Sequence, residues 1–314
     1  MGCHGASLVT LALIFPGQGS QYVGMARALA ESDPVASGVL AEANEILGFD
    51  LIGLMANGPE DELVATKNAQ PALLAHSVAV LRSVRERLGP VATAAGHSLG
   101  EFSAYVAAGT LSFEDALTTV RLRGELMYQA GLARPGTMAA ILGLSNEQIE
   151  DLCARVDGGI CQPANFNSKG QVVISGDLAG VEQGIALATE AGAKRVARLS
   201  VSGAFHSELM TPAAEGLSER LATVEFRDPD FPVVSNVTAQ PVTKGAEARE
   251  LLVRQVTAPV RWSASIAAMV DAGIDRFLEL GPGKVLCGLN RRNAKGIPCS
   301  NLGEPNDFAS LENA

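Results

Sequence analysis

The sequence is poor in basic residues and in long apolar runs, and both shortages exclude classes of function. Its 24 Lys and Arg residues stand against 34 Asp and Glu residues, which gives a formal net charge of −10 over 314 residues. Nucleic acids and anionic membranes bind broad basic surfaces, so neither is expected as the main partner. No apolar stretch approaches the roughly 18 residues that cross a bilayer, so no membrane span is expected. With 47% hydrophobic residues, the chain can bury a core large enough for one extended domain or two domains.

Cysteine is scarce as well, and its spacing carries no metal signature. The five cysteines are Cys3, Cys153, Cys161, Cys287 and Cys299. They are odd in number and show neither a CxxC pair nor a histidine at metal-ligand spacing, so neither a disulfide framework nor a zinc site is predicted. This usage indicates a reducing, cytoplasmic setting.

The amino-terminal apolar segment LVTLALIF, at residues 8–15, is short and ends at Pro16. It lacks a preceding basic segment and a following small-residue cleavage site, so it predicts a first buried strand rather than a signal peptide. Residues 1–7 are interpreted as an unstructured lead-in.

Short apolar segments then alternate with amphipathic ones, which is typical of an α/β protein. Helical patterns cover residues 24–48, 71–87, 99–108 and 112–129. From residue 136 the order changes to strand, helix, two strands across a Ser-Lys-Gly turn, helix and strand, the βαββαβ order of ferredoxin-like units. We predict an inserted ferredoxin-like domain at 134–202 within a large α/β-hydrolase-like domain with a parallel sheet, formed by 8–133 and 203–314. A ligand cleft is expected between the two domains.

A possible nucleophile lies in the segment Gly96-His97-Ser98-Leu99-Gly100. A G-x-S-x-G segment between a strand and a helix forms a nucleophile elbow, in which the turn exposes the serine Oγ and the next backbone N–H faces the developing oxyanion. The helix amino terminus adds positive potential there. The five-residue pattern alone is equally compatible with a tight turn that happens to contain serine.

A serine nucleophile needs a base, and the sequence offers only four histidines. His4 lies in the lead-in, His76 lies within a helical pattern and is assigned a structural role, and His97 belongs to the elbow itself. His206 follows a strand in VSGAFHSEL, where the chain returns from the inserted domain. It is therefore the candidate base.

Arg123 carries the main information about substrate. At about 100° per residue, Arg121 falls on the polar face of its helix and is expected to be solvated, whereas Arg123 falls among apolar residues. A buried guanidinium needs an anionic partner. That partner is either an internal carboxylate, whose position the sequence does not give, or the carboxylate of a substrate held by a bidentate clamp.

Seven segments that occur in order resemble the malonyl-CoA:acyl carrier protein transacylase family, from about residue 12 to residue 303. They are FPGQGSQ at 15–21, GHSLGE at 96–101, RLRGELM at 121–127, NFNS at 165–168, GAFHS at 203–207, LVRQVTAPVRW at 252–262 and ELGPGKVL at 279–286. Each alone is a weak match, but the seven together are specific.

The resemblance implies ping-pong acyl transfer through a malonyl ester of Ser98, with His206 moving the proton. It further implies an oxyanion hole formed by the backbone amides of Gln18 and Leu99, and a carboxylate clamp at Arg123.

In the family that the chain resembles, a backbone carbonyl takes the place of the acidic member of a catalytic triad. The resemblance places this carbonyl near Gln255, where it would orient His206. This is physically reasonable, since fixing an imidazole tautomer requires only a well-placed acceptor. Phe205 matches the pattern of malonyl-selective members, in which a bulky ring leaves little room for methylmalonyl. Asn165, with Asn167, either lines the cleft or caps a strand end.

The expected partners are malonyl-CoA, as a substrate, and an acidic acyl carrier protein. No cofactor and no metal are expected, and the chain is expected to be a cytoplasmic monomer. Docking an acidic carrier on an acidic enzyme requires a local basic rim. The candidates, which are equally compatible with ordinary solvated charges, are Lys194, Arg195, Arg198, Arg291, Arg292 and Lys295.

Two alternatives stay open from the sequence. The chain order Ser98, Asp177, His206 also fits an α/β-hydrolase triad, although a simple esterase has no need of Arg123 or of the insertion. A non-catalytic docking subunit is the second alternative, and the intact Ser98, His206 and Arg123 argue against it.

Overall fold

The computed structural model describes residues 10–311, so the predicted lead-in at 1–7, with Cys3 and His4, lies outside the described residues. The elements that precede the predicted insertion are β1 (Leu11–Phe15), α1 (Arg27–Ser32), α2 (Pro34–Leu47), α3 (Leu51–Asn57), α4 (Glu60–Val64), α5 (Thr66–Val84), a 3₁₀ turn (Arg85–Arg87), β2 (Val91–Gly96), α6 (Gly100–Ala107) and α7 (Phe113–Ala133).

The next six elements are β3 (Gly136–Leu142), α8 (Asn146–Ala154), β4 (Cys161–Ser168), β5 (Gln171–Asp177), α9 (Leu178–Glu190) and β6 (Arg195–Arg198). The remaining elements are a 3₁₀ turn (Glu208–Met210), α10 (Thr211–Leu221), β7 (Val233–Val234), β8 (Pro241–Val242), α11 (Gly245–Gln255), α12 (Trp262–Asp271), β9 (Arg276–Leu280), α13 (Val285–Asn293), β10 (Cys299–Leu302) and a 3₁₀ helix (Pro305–Leu311).

The large sheet has six strands in the order β10-β9-β1-β2-β7-β8, and only the β7–β8 pair is antiparallel. In its centre, Leu13 of β1 lies opposite Ala94 of β2 and Leu278 of β9. Every residue of β1 is buried, as expected for a parallel strand covered by helices on both faces. The carboxyl ends of the parallel strands meet at one edge, and the loops that follow them occupy that edge.

The second sheet has the order β4-β5-β3-β6 with antiparallel pairing throughout, and α8 and α9 pack on it. Its chain order is βαββαβ, as predicted. The predicted fold class, α/β with a mostly parallel sheet and a separate antiparallel one, is confirmed. The exact domain bounds at 134–202 stay a prediction.

Two of the predicted helix boundaries differ from the structure at a proline. The helix predicted over 24–48 is two helices, because Pro34 begins α2 and the Asp33 side chain caps it by accepting from Val35 N and Ala36 N, each at 2.9 Å. The helix predicted to begin at Pro71 begins at Thr66 instead.

Pro71 has no N–H to give to the carbonyl of Lys67 one turn earlier, and the structure supplies another donor. Arg121 Nη1 donates to Lys67 O at 2.8 Å and to Asn68 Oδ1 at 2.6 Å. Arg121 is thus half-buried and engaged, and the prediction that it is solvated is wrong. Although Arg121 lies on the polar face of α7, its guanidinium turns toward α5, because the Lys67 carbonyl that Pro71 leaves unpaired accepts a hydrogen bond from it.

The cysteines also depart from expectation. Cys287 and Cys299 form a disulfide that joins α13 to β10, with their Cα atoms 5.4 Å apart. The packing of α13 beside β10 sets this approach, which a spacing of 12 residues does not signal. Cys153 and Cys161 are free, with Sγ atoms 3.7 Å apart. Since the cytoplasmic prediction rested on cysteine usage, the disulfide removes that support.

Among residues 10–311, no helix is both long enough and apolar enough to cross a membrane.

Candidate active site

Ser98 lies at the carboxyl end of β2, in the sharp turn that leads into α6. Its φ of 51° is in the left-handed region, which is strained for a residue with a side chain. The flanking glycines are required sterically. A Cβ on Gly96 would lie 1.8 Å from the Gly100 carbonyl carbon, and a Cβ on Gly100 would lie 2.2 Å from Phe15 O. The predicted nucleophile elbow is therefore present, with its Oγ exposed to a cavity.

Asn236, in the loop after β7, braces this elbow and was not predicted. Its Oδ1 accepts from Ser98 N at 2.7 Å, and its Nδ2 donates to Gly96 O at 2.6 Å. Asn236 is completely buried, so these bonds face no competition from water. It holds the strained turn from both sides of the serine.

His206 lies against Ser98, although the two are 108 residues apart in the chain. The distance from Ser98 Oγ to His206 Nε2 is 2.8 Å, and His206 Nδ1 lies 2.8 Å from Gln255 O. A carbonyl can only accept, so Nδ1 carries the hydrogen and Nε2 is left as the acceptor for the serine proton. Burial, with a smaller contribution from Arg123, lowers the pKa of His206 to about 3. The ring is thus neutral, as a base must be.

Asp177 does not take part in this arrangement. Its Oδ1 accepts from Gly180 N at 2.7 Å and its Oδ2 from Ile160 N at 2.9 Å, so it caps α9 instead. The hydrolase-type triad Ser98, Asp177, His206 is therefore wrong for this chain. The position that such an acid would occupy is taken by the carbonyl of Gln255.

Arg123 projects from α7 into the same cavity and is 1% exposed. Its Nη1 donates to Gln70 Oε1 at 2.7 Å, and its Nη2 donates to Gln255 Oε1 at 2.9 Å and to Ser98 Oγ at 3.2 Å. Its Nε has no partner within the described residues. The inward direction predicted from helical periodicity is confirmed, and it places a positive charge next to the nucleophile.

Gln18 and Leu99 line the cavity on the side where an oxyanion would form. Gln18 follows β1, and its Nε2 donates to Thr66 Oγ1 at 3.1 Å, which holds the loop in place. Leu99 directly precedes the first turn of α6, where backbone N–H groups have no partner within the helix. The role of the two backbone amides as the oxyanion hole stays a prediction.

The cavity that joins these groups has a volume of about 350 Å³. Its apolar wall is formed by Met127, Met138, Leu199, Val201 and Phe205. Asn165 also lines the cavity, in agreement with the first of its two predicted roles, lining the cleft rather than capping a strand end.

The remaining histidines and asparagines have supporting positions. His97 Nε2 lies 2.8 Å from Asn167 Oδ1, and Asn167 O accepts from Asn293 Nδ2 at 2.9 Å, so this pair ties the elbow to α13. His76 is buried in α5, and burial lowers its pKa to about 3. Its structural assignment fits this position, since it lies outside the cavity lining.

Glu101 and Gln70 are further residues that the sequence did not single out. Glu101 is fully buried directly beneath the elbow, where its Oε2 accepts from Gln255 Nε2 at 2.7 Å. Glu101 does occur in the quoted segment GHSLGE, so the available signal was a carboxyl group in the first turn of the helix that follows the serine. Within residues 10–311, no cluster of three or more His, Cys, Asp or Glu side chains could hold a metal ion.

The arrangement suits acyl transfer on a substrate that carries a carboxylate. A serine with a neutral histidine base can attack an acyl carbon, and a guanidinium next to that serine can hold a negative charge on the acyl group.

Comparison with known proteins agrees with this chemistry. The family profile of the acyl transferase domain matches residues 12–299. A malonyl CoA-acyl carrier protein transacylase of Bacillus subtilis (strain 168) is 47% identical over 297 residues, which cover 94% of this chain and 94% of the relative.

Solved structures are equally similar. An acyl carrier protein S-malonyltransferase from Vibrio cholerae superposes with a TM-score of 0.93 at 44% identity, covering 96% of this chain and 99% of the other. A malonyl-transacylase in complex with its type II polyketide-synthase acyl carrier protein superposes with a TM-score of 0.93 at 43% identity, covering 97% and 100%. The chain belongs to the acyl transferase domain family, with relatives that are malonyl-CoA:acyl carrier protein transacylases.

Proposed function

We propose that this chain transfers the malonyl group from malonyl-CoA to the phosphopantetheine thiol of an acyl carrier protein, through a malonyl ester of Ser98. The observation that carries the proposal is the position of Arg123, a buried residue whose Nη2 lies 3.2 Å from Ser98 Oγ. A fixed cation beside a serine nucleophile selects an acyl group that ends in a carboxylate. The names of the related proteins support the same substrates.

In the first half-reaction, His206 Nε2 accepts the Ser98 proton while Oγ attacks the thioester carbonyl carbon. The negative charge moves to the carbonyl oxygen, which faces the backbone amides of Gln18 and Leu99. When the tetrahedral intermediate collapses, the carbon–sulfur bond breaks and the coenzyme A sulfur takes the proton from His206. The malonyl group is left as an ester of Ser98.

In the second half-reaction, the carrier thiol gives its proton to His206 and its sulfur attacks the ester carbon. Collapse of this intermediate breaks the bond to Oγ, and His206 returns the proton to Ser98. Together the two half-reactions return the enzyme to its starting state, and His206 and Ser98 handle every proton, so we propose that the reaction requires no cofactor and no metal. Gln255 O keeps the imidazole in one tautomer throughout.

Intact-protein mass spectrometry after brief mixing with malonyl-CoA tests this function. We expect a single malonyl adduct that disappears, with appearance of malonyl carrier, when a holo acyl carrier protein is added. Release of free malonate without transfer to several holo carriers would show a hydrolase instead. Absence of both adduct and turnover would show a non-catalytic docking subunit.

Phe205 is proposed as the residue that limits branching next to the thioester. It is 6% exposed in the cavity wall and directly precedes the base His206. Replacing Phe205 with alanine should raise methylmalonyl loading relative to malonyl by about 10-fold or more, because one methyl group in an apolar pocket changes specificity by that order.

A competition experiment with equal malonyl-CoA and methylmalonyl-CoA, read by mass spectrometry of the adduct, measures this ratio. Val201→Ala is the matched control, since it enlarges the cavity from another part of the wall. An equal gain in both variants would assign the selectivity to cavity volume and not to Phe205.

For the carrier, we propose docking on the basic rim next to β6, which leads directly into the cavity-lining residues Leu199 to Val201. Arg198 pairs with Glu182, and Arg292 donates to Ser168 and Gln171. Lys194 and Arg195, at the start of β6, are exposed and have no carboxylate partner among the described residues. Arg291 and Lys295 are exposed as well, but they lie on and after α13, which contacts β4 at the opposite edge of the small sheet.

Arg195→Glu should raise the KM for the carrier by about 3- to 10-fold at low salt and leave malonyl-CoA loading unchanged, because rim charges act mainly on association with the acidic partner. Steady-state transfer at two ionic strengths measures the effect. Arg85→Glu is the control, since this exposed arginine lies before the amino end of β2, whereas Ser98 follows the carboxyl end of the same strand. Equal effects of both variants would indicate only a general charge effect.

A monomeric state and a cytoplasmic location are proposed in addition. The net charge of −10 supports the proposed lack of a nucleic-acid partner.

A further inference from the structure

Glu101 is a buried carboxyl group that the proposed reaction does not use directly. It is 0% exposed, in the first turn of α6, three residues after Ser98. Its Oε2 accepts from Gln255 Nε2 at 2.7 Å and from Asn236 N at 3.2 Å, and the Ser235 side chain also lowers the pKa of this carboxyl group. An ionised carboxylate in such a position is costly to bury unless it is paired and hydrogen-bonded.

The contacts of Glu101 lead to Arg123, to His206 and to the elbow at Ser98. Gln255, held by Glu101, accepts from Arg123 Nη2 through Oε1 at 2.9 Å and from His206 Nδ1 through its carbonyl at 2.8 Å. Asn236, also held by Glu101, braces the backbone on both sides of Ser98. One carboxyl group therefore orients the clamp, the base and the elbow together.

The side-chain amide of Gln255 also links two opposite charges. Its Nε2 donates to Glu101 and its Oε1 accepts from Arg123, so the amide lies between a carboxylate and a guanidinium. In the empty site the charge of Arg123 is balanced by Glu101, which is the internal carboxylate that the sequence could not place. A malonyl carboxylate at Arg123 adds a second negative charge to a region with one fixed cation.

We propose that Glu101 is a positioning residue and the counter-charge of Arg123, and that it takes up a proton from solvent when the malonyl carboxylate binds. With Glu101 protonated, Arg123 is free to pair with the substrate carboxylate. With Glu101 ionised, Arg123 is already balanced and attracts that carboxylate less strongly. This inference rests on the proposed clamp role of Arg123.

The surroundings of Glu101 allow such a change near neutral pH. Burial raises the pKa of Glu101 to about 7, against the opposing effects of its hydrogen bonds and of Arg123. Tyr105 of α6 is buried as well, and burial and Glu101 raise its pKa, so it stays neutral. Burial alone lowers the pKa of His76 in α5, so this ring is neutral near pH 7. The charge of Glu247 in α11 further raises the pKa of Tyr105.

The direction of the pH effect follows. Protonated Glu101 favours malonyl loading, so kcat/KM for malonyl-CoA should fall as the pH rises through about 7 and then level off. The acetyl group has no carboxylate that would compete with Glu101 for Arg123, and acetyl-CoA carries the same coenzyme A. The ratio of the kcat/KM values for malonyl-CoA and acetyl-CoA therefore isolates the effect of Glu101. His206, with a pKa of about 3, does not titrate in this range.

The experiment measures coenzyme A release from malonyl-CoA and from acetyl-CoA between about pH 6 and pH 8.5. In the wild type, the ratio of the two kcat/KM values should fall by about 3- to 10-fold, which corresponds to at most one pKa unit of coupling. Glu101→Gln keeps an acceptor for Gln255 and Asn236 but has no proton to gain or lose, so its ratio should be flat. Glu101→Ala should lower loading of both substrates, and Glu101→Gln should restore it.

Glu279 provides the matched control. It is also a buried carboxyl whose pKa burial raises to about 7, but it accepts from Leu286 N and Cys287 N at the start of α13. Glu279→Gln should retain the pH dependence of the ratio. Loading should be measured well below the melting temperature of each variant.

A ratio that is flat in the wild type, or that falls equally in Glu101→Gln, would overturn the inference about Glu101 alone. Loss of both malonyl and acetyl adducts in the wild type would instead overturn the proposed function. A fall that disappears in Glu279→Gln would likewise count against Glu101 as the titrating group.

Discussion

Replacing Ser98 with alanine is expected to abolish the malonyl adduct and to lower malonyl transfer by about 10⁴-fold or more. The reaction passes through an ester of this oxygen, and serine hydrolases lose comparable factors when their nucleophile is removed. The elbow should persist, because Asn236 holds the backbone on both sides of the serine and not its Oγ. Mass spectrometry of the enzyme, together with the rate of malonyl carrier formation, measures both effects.

Two further variants make this result specific. Ser103→Ala removes another buried serine of α6 and should form the adduct normally. His206→Ala should still form the adduct at Ser98 but about 10²- to 10⁴-fold more slowly, since it removes the base and leaves the nucleophile. A stable adduct on Ser98→Ala would assign the nucleophile to another residue.

Replacing Arg123 with alanine is expected to lower the ratio of malonyl to acetyl loading by about 10²- to 10³-fold. Removing one partner of a desolvated charge pair costs about 2 to 5 kcal/mol, and only the malonyl group makes that pair. Acetyl loading should change far less, because acetyl has no carboxylate to lose. Parallel loading assays with malonyl-CoA and acetyl-CoA give the ratio directly.

Arg123→Lys should fall between wild type and alanine, because an ammonium keeps the charge and loses the planar fork. Arg121→Ala is the control from the same helix. It removes the donor to the Lys67 carbonyl, so it should lower the melting temperature and leave the ratio unchanged. An unchanged ratio in Arg123→Ala would show that the guanidinium does not hold the malonyl carboxylate.

The local features of the site were predictable from the sequence. The glycines around Ser98 predict a strained turn, because only residues without a Cβ fit there. In the structure, a Cβ on Gly96 would lie 1.8 Å from the Gly100 carbonyl carbon and a Cβ on Gly100 would lie 2.2 Å from Phe15 O. The inward direction of Arg123 follows from the helical period and its apolar neighbours. His206 could be selected because so few histidines were available.

Other predictions failed where a neighbouring segment changed the environment. Arg121 has the periodicity of a solvated residue, but Pro71 on a different helix leaves a carbonyl that it fills. Cys287 and Cys299 carry no spacing signal, and they meet only because α13 packs beside β10. Neither event can be deduced from periodicity, since each depends on how two elements pack.

The sequence by itself determined the alternation of strands and helices, the elbow at Ser98 and the direction of Arg123, because each depends on backbone sterics or on the period of one element. Only the tertiary structure decided which groups meet them. His206, Asn236 and Gln255 come from loops and a helix 108 to 157 residues away from Ser98. Glu101 acquires its partners in the same way. Long-range contacts follow from the packing of whole helices and sheets, and that packing minimises exposed apolar surface over the entire chain rather than over any one segment.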